Sequence, residues 1–248
     1  MQGGKDRENY RFGVLFIPVS WVAEQFFCEL KLEHELTLGR ETTESMITGA
    51  EMHDEILEME EASEEEIIQM IKKRKSFVAS FPLVGYVNEL LLIGIPDAIY
   101  FKRGKPRYVI ELKTTSSGNL RVWRGQVVQV MLYGLLLDEM GFNTDNLDLL
   151  ILKLRQDEEL LEETKDQLIG TLIGYAERGR LDKIEQEFDK NIRVYSVKYS
   201  RDAAVDIVRW ASDYWLMRRD AIPTKKPSKC KVCEFKITCP RSLVLPSP

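Results

Sequence analysis

Apolar residues recur at helical spacing through WVAEQFFCELKLEHEL, and Ser20 stands where a cap is needed, so the pattern predicts one helix from Ser20 onward. A second helical stretch runs from about Thr43 to Met59 and carries His53. Ser63 followed by three glutamates reads as a capping box ahead of IIQMIKKRK. From Ser76 to Tyr100 the texture changes to β-branched and aromatic residues, with Pro82 and Gly85 as breaks, which predicts strands. Gly104-Lys-Pro makes a turn, and Arg107 to Thr115 forms the returning strand. Arg124 to Met140 is strongly apolar at helical periodicity, whereas LDLLILKL, from Leu147 to Leu154, is apolar enough for a strand inside a sheet. The acidic segment from Gln156 to Lys190 reads as one or two surface helices, and Ile192 to Tyr199 as another strand. A last helix, Arg201 to Arg219, leads into a basic, proline-containing tail with three cysteines.

This alternation predicts an α/β (α+β) chain in a single domain, with a central mixed sheet flanked by helices. An N-terminal helical part spans 20–75 and a core spans 76–200, with an acidic helical insertion at about 156–190. The C-terminal helix and tail occupy 201–248. No internal repeat or low-complexity linker interrupts it. Charge alters the picture only slightly: 35 basic against 40 acidic residues give −5 overall, which excludes a protein coated in positive charge but leaves room for a local basic groove. The polar start, MQGGKDRENYRFG, lacks the apolar region of a signal peptide, and no apolar run reaches the roughly 18 residues of a membrane span. The expectation is a cytoplasmic protein with no membrane partner. Thiols stay reduced there, so the four cysteines call for a role outside disulfides.

The predicted hairpin carries three charges on otherwise apolar strands, GIPDAIYF and VIELK. Glu111 and Lys113 share a strand face because side chains alternate. Gly104 lies seven residues after Asp97 and seven before Glu111, so a hairpin centred there sets the two carboxylates opposite one another. Opposed carboxylates repel, and a divalent cation between them removes the conflict. Lys113 would then stabilise charge on a phosphate or orient an attacking water. The plainer alternative is a solvated strand face on which three charges happen to align.

Pro96-Asp97 followed by Glu111-Leu112-Lys113 resembles the core motif of the PD-(D/E)xK nuclease superfamily, with its restriction-endonuclease-like core. The resemblance implies that Asp97, Glu111 and the Leu112 carbonyl bind Mg²⁺ or Mn²⁺, with Asp97, Glu111 and Lys113 as the catalytic set. QVMLY, from Gln129 to Tyr133, is similar to the Gln-x-x-x-Tyr helix of the RecB-like branch, which lies against the active site and DNA. GAEMH, ending at His53, is similar to the helix whose histidine supplies a further metal ligand. His34, within LEHEL, reads as a surface residue.

Cys230, Cys233 and Cys239 are separated by two and five intervening residues, and their one possible partner, Cys28, stands some 200 residues upstream. Four thiolates can close a zinc site or ligate one [4Fe–4S] cluster, and a zinc ribbon normally supplies two close pairs rather than one plus three. The division resembles the iron–sulfur RecB-like nucleases, in which the cluster joins the N-terminal helix to the C-terminal tail. The chain's length fits the CRISPR-associated RecB-like exonuclease family best. FFCELK departs from the Cys-Pro-Arg usual in that family, and the acidic segment is longer than its core requires. The resemblance implies a metal-dependent exonuclease on single-stranded DNA or overhangs, trimming spacer precursors beside integrase and nuclease subunits of CRISPR adaptation. Gln129, Tyr133, Arg124 and Trp123 are the candidate DNA contacts, with Arg103, Lys105, Arg107, Arg121, Lys225, Lys226, Lys229 and Lys231 adding positive charge. A non-catalytic DNA-end adaptor, a free-standing repair nuclease and a zinc-stapled nucleic-acid binder are the rival readings.

Overall fold

The computed structural model describes residues 10–39, 63–116, 118–156, 167–188 and 191–244. A short strand, Ile17–Pro18 (β1), leads into helices Val19–Gln25 (α1) and Glu29–Leu38 (α2). Helix Glu64–Lys72 (α3) starts on the capping box that Ser63 and Glu66 form. Four strands follow: Phe77–Ala79 (β2), Leu83–Val87 (β3), Leu90–Gly94 (β4) and Ala98–Lys102 (β5). The long strand Lys105–Thr115 (β6) precedes helix Arg124–Glu139 (α4) and strand Asp148–Arg155 (β7). Helices Leu168–Glu177 (α5) and Asp182–Glu187 (α6), strand Ile192–Lys198 (β8), and helices Arg201–Trp215 (α7) and Pro227–Lys231 (α8) complete the order.

The main sheet has the order β2-β5-β6-β7-β8, with β6 and β7 parallel and every other neighbour antiparallel. A second sheet, β1-β4-β3, stands apart from it and was not anticipated from sequence, because β3 and β4 carry no feature that separates them from the main-sheet strands. Leu149 and Ile151 of β7 join Ile99, Phe101 and Val109 in a core covered by α1, α4, α7 and the small sheet. Leu150, Leu152 and Leu154 face the other way, against Leu168 and Leu172 of α5 and Ile184 of α6. Both faces of β7 are therefore buried, which is why its sequence runs almost without a polar break. The acidic segment supplies the outer layer on one face of the sheet. Its residues 157–166, 189 and 190 lie outside the described residues, as does the expected helix from Thr43 to Met59 with His53.

The single N-terminal helix expected from periodicity is two. Phe26 ends α1, and Cys28 is extended at φ −171° and ψ 121° before α2 begins. Apolar spacing continues across the break, so nothing in the pattern marks it. The kink presents the Cys28 sulfur to the C-terminal tail, where the Thr224 N–H donates to it at 3.4 Å. Pro18 rather than Ser20 occupies the capping position of α1.

That seam is held by charge as well. Glu29 has no exposed surface and accepts both arms of the Arg219 guanidinium at 2.6 and 2.7 Å. It also accepts the Ile222 N–H at 2.6 Å and the Gln25 side-chain amide at 2.8 Å, while the Gln25 carbonyl oxygen accepts the Trp215 indole N–H at 2.9 Å. Both carboxylate oxygens and both ends of the amide thus have partners, which is the condition under which a buried charge can be carried. Lys229 adds two bonds from its amine to the Phe26 and Phe27 carbonyls.

Glu29→Ala should therefore lower stability by about 3 kcal/mol, because it strands the Arg219 cation and the Ile222 N–H. Denaturant unfolding measures this, and a midpoint equal to wild type would mean that other contacts hold the seam.

Candidate active site

The register of β5 and β6, extended one residue beyond the start of β5, sets Asp97 opposite Glu111, by a route that the simple count hid. The turn is the two residues Arg103 and Gly104, flanked by the pair Lys102–Lys105. A register shift between Tyr100 and Phe101 then moves the pairing on by one residue, to Tyr100–Tyr108, Ile99–Val109 and Ala98–Ile110. Extended by one step, that register sets Asp97 opposite Glu111. Without the bulge Asp97 would face Ile110, whose side chain points to the opposite core. Gly104, at φ +74°, closes the turn where a Cβ would lie 2.5 Å from the Ile71 carbonyl oxygen, so α3 docks on bare backbone.

Glu111 is 2% exposed and anchors the site. Its Oε1 meets the Lys113 amine at 2.6 Å and the Gln129 amide at 2.7 Å. Its Oε2 is buried and has no hydrogen-bond partner among the described residues. Asp97 accepts the Leu112 N–H at 2.6 Å, which ties the first carboxylate to the strand that bears the second. The Gln129 amide also donates to the Tyr133 hydroxyl at 2.8 Å, and that hydroxyl donates to the Ile95 carbonyl at 3.1 Å. Gln129 and Tyr133, one turn apart on α4, thus clamp Glu111 to the segment before Asp97. Gly94 makes the approach possible, since a Cβ there would lie 2.7 Å from the Tyr133 ring.

The electrostatics follow from burial. Desolvation pushes the Glu111 carboxyl up to about 7 against the pull of Lys113, and the charge of Asp97 adds to the rise. Burial alone would lower Lys113, but the adjoining Glu111 carboxylate holds it above its ordinary value. Burial and Glu111 also raise the Tyr133 hydroxyl, which stays protonated as a donor. An orphaned oxygen, a second carboxylate opposite it and a raised carboxyl are what a site with a divalent cation needs. The donor set of Asp97, Glu111 and the Leu112 carbonyl fits such a cation. His53 lies outside the described residues.

Cys28, Cys230, Cys233 and Cys239 all line one cavity, together with Lys31, His34 and Phe235. His34 is therefore not a surface residue: it is half-buried and stacks on Phe235 at 5.2 Å, an aromatic partner some 200 residues away in sequence. Burial pushes the Cys233 thiol up. Among the described residues no three His, Cys, Asp or Glu side chains form a group that could hold a metal ion by themselves. All-thiol donors around one cavity match zinc or iron–sulfur chemistry in type.

The expected DNA contacts divide. Arg124 lies over the Phe26 ring at 4.7 Å and lines a groove of about 770 Å³ with Trp210, Lys225, Lys226 and Lys229. Trp123 is 59% exposed at the start of α4. Lys105 and Arg107 lie roughly 13–20 Å along β6 from Glu111, and Arg103 lies beyond them in the turn. Arg107 is committed to Asp148 at 2.6 Å, and Lys102 beside that turn pairs with Glu177. These basic residues are near the motif in sequence and at the wrong end of the hairpin in space. Lys153, Gly94 and the Glu29–Arg219 pair were not anticipated from sequence. A lysine inside LDLLILKL was the one visible signal among them.

Residues 19–240 match the model of the PD-(D/E)XK nuclease superfamily. No curated protein matches the chain. The solved structure of SSO0001 is similar over 92% of this chain and 88% of that one, at 16% identity and a TM-score of 0.48. No helix among the described residues is long and apolar enough to cross a membrane.

A folded-state value above the ordinary carboxylate value means that Glu111 favours folding only while protonated. Its contribution is complete below about 4.5 and is lost as pH rises through about 7. In metal-free buffer, Glu111→Gln should therefore gain melting temperature relative to wild type between about pH 5 and pH 8. Added Mg²⁺ or Mn²⁺ should narrow that gap by stabilising wild type alone. Parallel melting curves for the two proteins would show that Glu111 is not a strained carboxylate.

Proposed function

The chain belongs to the PD-(D/E)XK nuclease superfamily, whose members are nucleases that use divalent metals such as Mg²⁺ or Mn²⁺, and on that premise we propose that it is a DNA exonuclease acting on single-stranded DNA or overhangs. The observation that carries the catalytic reading is the Glu111 carboxylate: one oxygen fixed by Lys113 and Gln129, the other buried without a partner among the described residues, and Asp97 opposite it where the hairpin register is extended by one residue. Asp97, Glu111 and the Leu112 carbonyl would hold the metal, and His53 is the candidate for a further ligand. A bound divalent metal supplies a water of lowered pKa and neutralises charge on the phosphate. Lys113, held beside Glu111, orients the attacking water and stabilises the oxyanion that develops as the phosphodiester is broken. Gln129 and Tyr133 keep Glu111 in place.

Support for a single-stranded substrate is the groove lined by Arg124, Lys225 and Lys226 together with Phe26 and Trp210, a combination of cations and rings suited to unstacked nucleotides. Support for a [4Fe–4S] cluster is the convergence of four thiols, from both ends of the chain, on one cavity. The cluster would be structural, since phosphodiester hydrolysis transfers no electrons. The motif resemblance extends the proposal to spacer-precursor trimming alongside CRISPR integrase and adaptation-nuclease subunits.

The direct test is end-labelled single-stranded DNA incubated with Mn²⁺ or Mg²⁺ and air-free protein, comparing wild type with Asp97→Ala. Metal-dependent shortening from an end, reduced to background in the variant, is the expected result. Lys113→Ala should lose about 100-fold in rate while still binding DNA. A folded wild type that binds DNA and leaves it intact would make the protein an adaptor instead. Cys233→Ser should lose iron, sulfide and thermal stability together. Stoichiometric zinc in the air-free wild type would replace the cluster with a zinc staple.

A further inference from the structure

One cation near the catalytic set is unaccounted for. Lys153 lies toward the C-terminal end of β7 and is 4% exposed, yet among the described residues it has no hydrogen bond and no ion pair. It is the register partner of Lys113 on β6, and on its other side the register partner of Arg193 on β8. The three cations therefore stand in one row across three adjacent strands, on the sheet face that carries Glu111. Like charges at opposed cross-strand positions destabilise a sheet. Lys113 is compensated by Glu111 at 2.6 Å, and Arg193 by Glu185 at 3.7 Å. Lys153, between them, has no carboxylate among the described residues. Burial and the charge of Lys113 bring its amine down to about 8, so the site costs the free protein stability.

Packing does not account for the residue, because Met or Leu would fill the same space at no electrostatic cost. The connection from β6 to α4 crosses this part of the face, where the Tyr195 hydroxyl donates to the Leu120 carbonyl at 3.1 Å. The row is thus roofed on one side and leads away from Glu111 toward the edge strand β8. Neighbouring strands stand about 4.8 Å apart, so it spans about 10 Å from Lys113 to Arg193, room for more than one phosphate of a strand crossing it.

We propose that Lys113, Lys153 and Arg193 form a phosphate track, in which Lys153 takes the backbone phosphate next to the scissile one and so directs the DNA strand across β7 toward β8. This rests on the nuclease reading and deepens it by assigning the path of the substrate backbone beside the metal site. Lys153 is a substrate-binding residue in this scheme, its missing counterion supplied by DNA.

The test is binding of fluorescein-labelled oligothymidylate by anisotropy across a salt series, with Ca²⁺ in place of the catalytic metal. Lys153→Met should weaken binding about tenfold at moderate salt and flatten the slope of log affinity against log salt by about 0.7, the value of one single-strand phosphate. Its melting temperature should equal or exceed that of wild type, since an uncompensated charge has been removed. Lys153→Arg should keep the slope. Unchanged affinity and slope in a folded Lys153→Met protein would overturn the track while leaving the nuclease reading intact. A Lys153→Met protein that melts lower, with a normal slope in whatever fraction stays folded, would make the lysine structural. Wild type that neither binds nor cleaves the oligonucleotide would overturn both readings.

Discussion

Two carboxylates that face each other across a pair of strands repel, and the rest of this site is arranged around holding them there. The alignment depends on a single extra residue in β6, without which the side chain opposite Asp97 would belong to the other face of the sheet. The Asp97 side chain is tied to the Leu112 backbone, so the two halves of the motif cannot slide independently. From α4, Gln129 and Tyr133 reach the same carboxylate and the Ile95 carbonyl, a clamp admitted only because Gly94 has no side chain. Burial then sets the chemistry. It makes the Glu111 charge expensive, leaves one oxygen orphaned, and gives a divalent cation a free-energy reason to enter.

The scaffold behind that site is closed at a seam between the beginning and the end of the chain. Glu29 and Arg219 are 190 residues apart, and their paired charge, with Gln25 and Trp215 below it, is complete without any cofactor. The four thiols lie along the same seam. α1 is packed on α4, which carries Gln129 and Tyr133, so whatever loosens the seam is transmitted to the clamp on Glu111. A cluster in this position would act on activity through stability.

Much of this was legible in the sequence for identifiable reasons. The apolar run of β7 announced a central strand because both of its faces are buried, and the periodicity of α4 announced a helix, on which the resemblance to a Gln-x-x-x-Tyr motif singled out Gln129 and Tyr133. The opposition of Asp97 and Glu111 was also legible, though the even count about Gly104 reached it without the bulge that produces it. The break at Cys28 was not legible, since a kink made by tertiary demand leaves the apolar spacing undisturbed. Nor was the burial of His34, whose partner Phe235 comes from the far end of the chain. Proximity in sequence misled at the hairpin turn. Arg103, Lys105 and Arg107 flank the motif along the chain, but a strand of this length carries them to its other end.

The charge balance of the protein gains meaning once the partners are assigned. With an excess of acid overall, basic side chains at the turn end of the hairpin are already spoken for: Arg107 by Asp148 and Lys102 by Glu177. Such pairs cancel locally and offer little to a polyanion. What distinguishes a substrate contact in an acidic protein is therefore a cation whose compensation is missing where the dielectric is low. Among the described residues Lys153 meets that condition on the strand next to Lys113, while the exposed lysines of the tail meet it only in water, where a charge is screened within about 10 Å. Placing an unpaired cation inside the sheet costs the free protein stability. It also concentrates attraction for a phosphate at the position from which the backbone can be presented to the paired carboxylates.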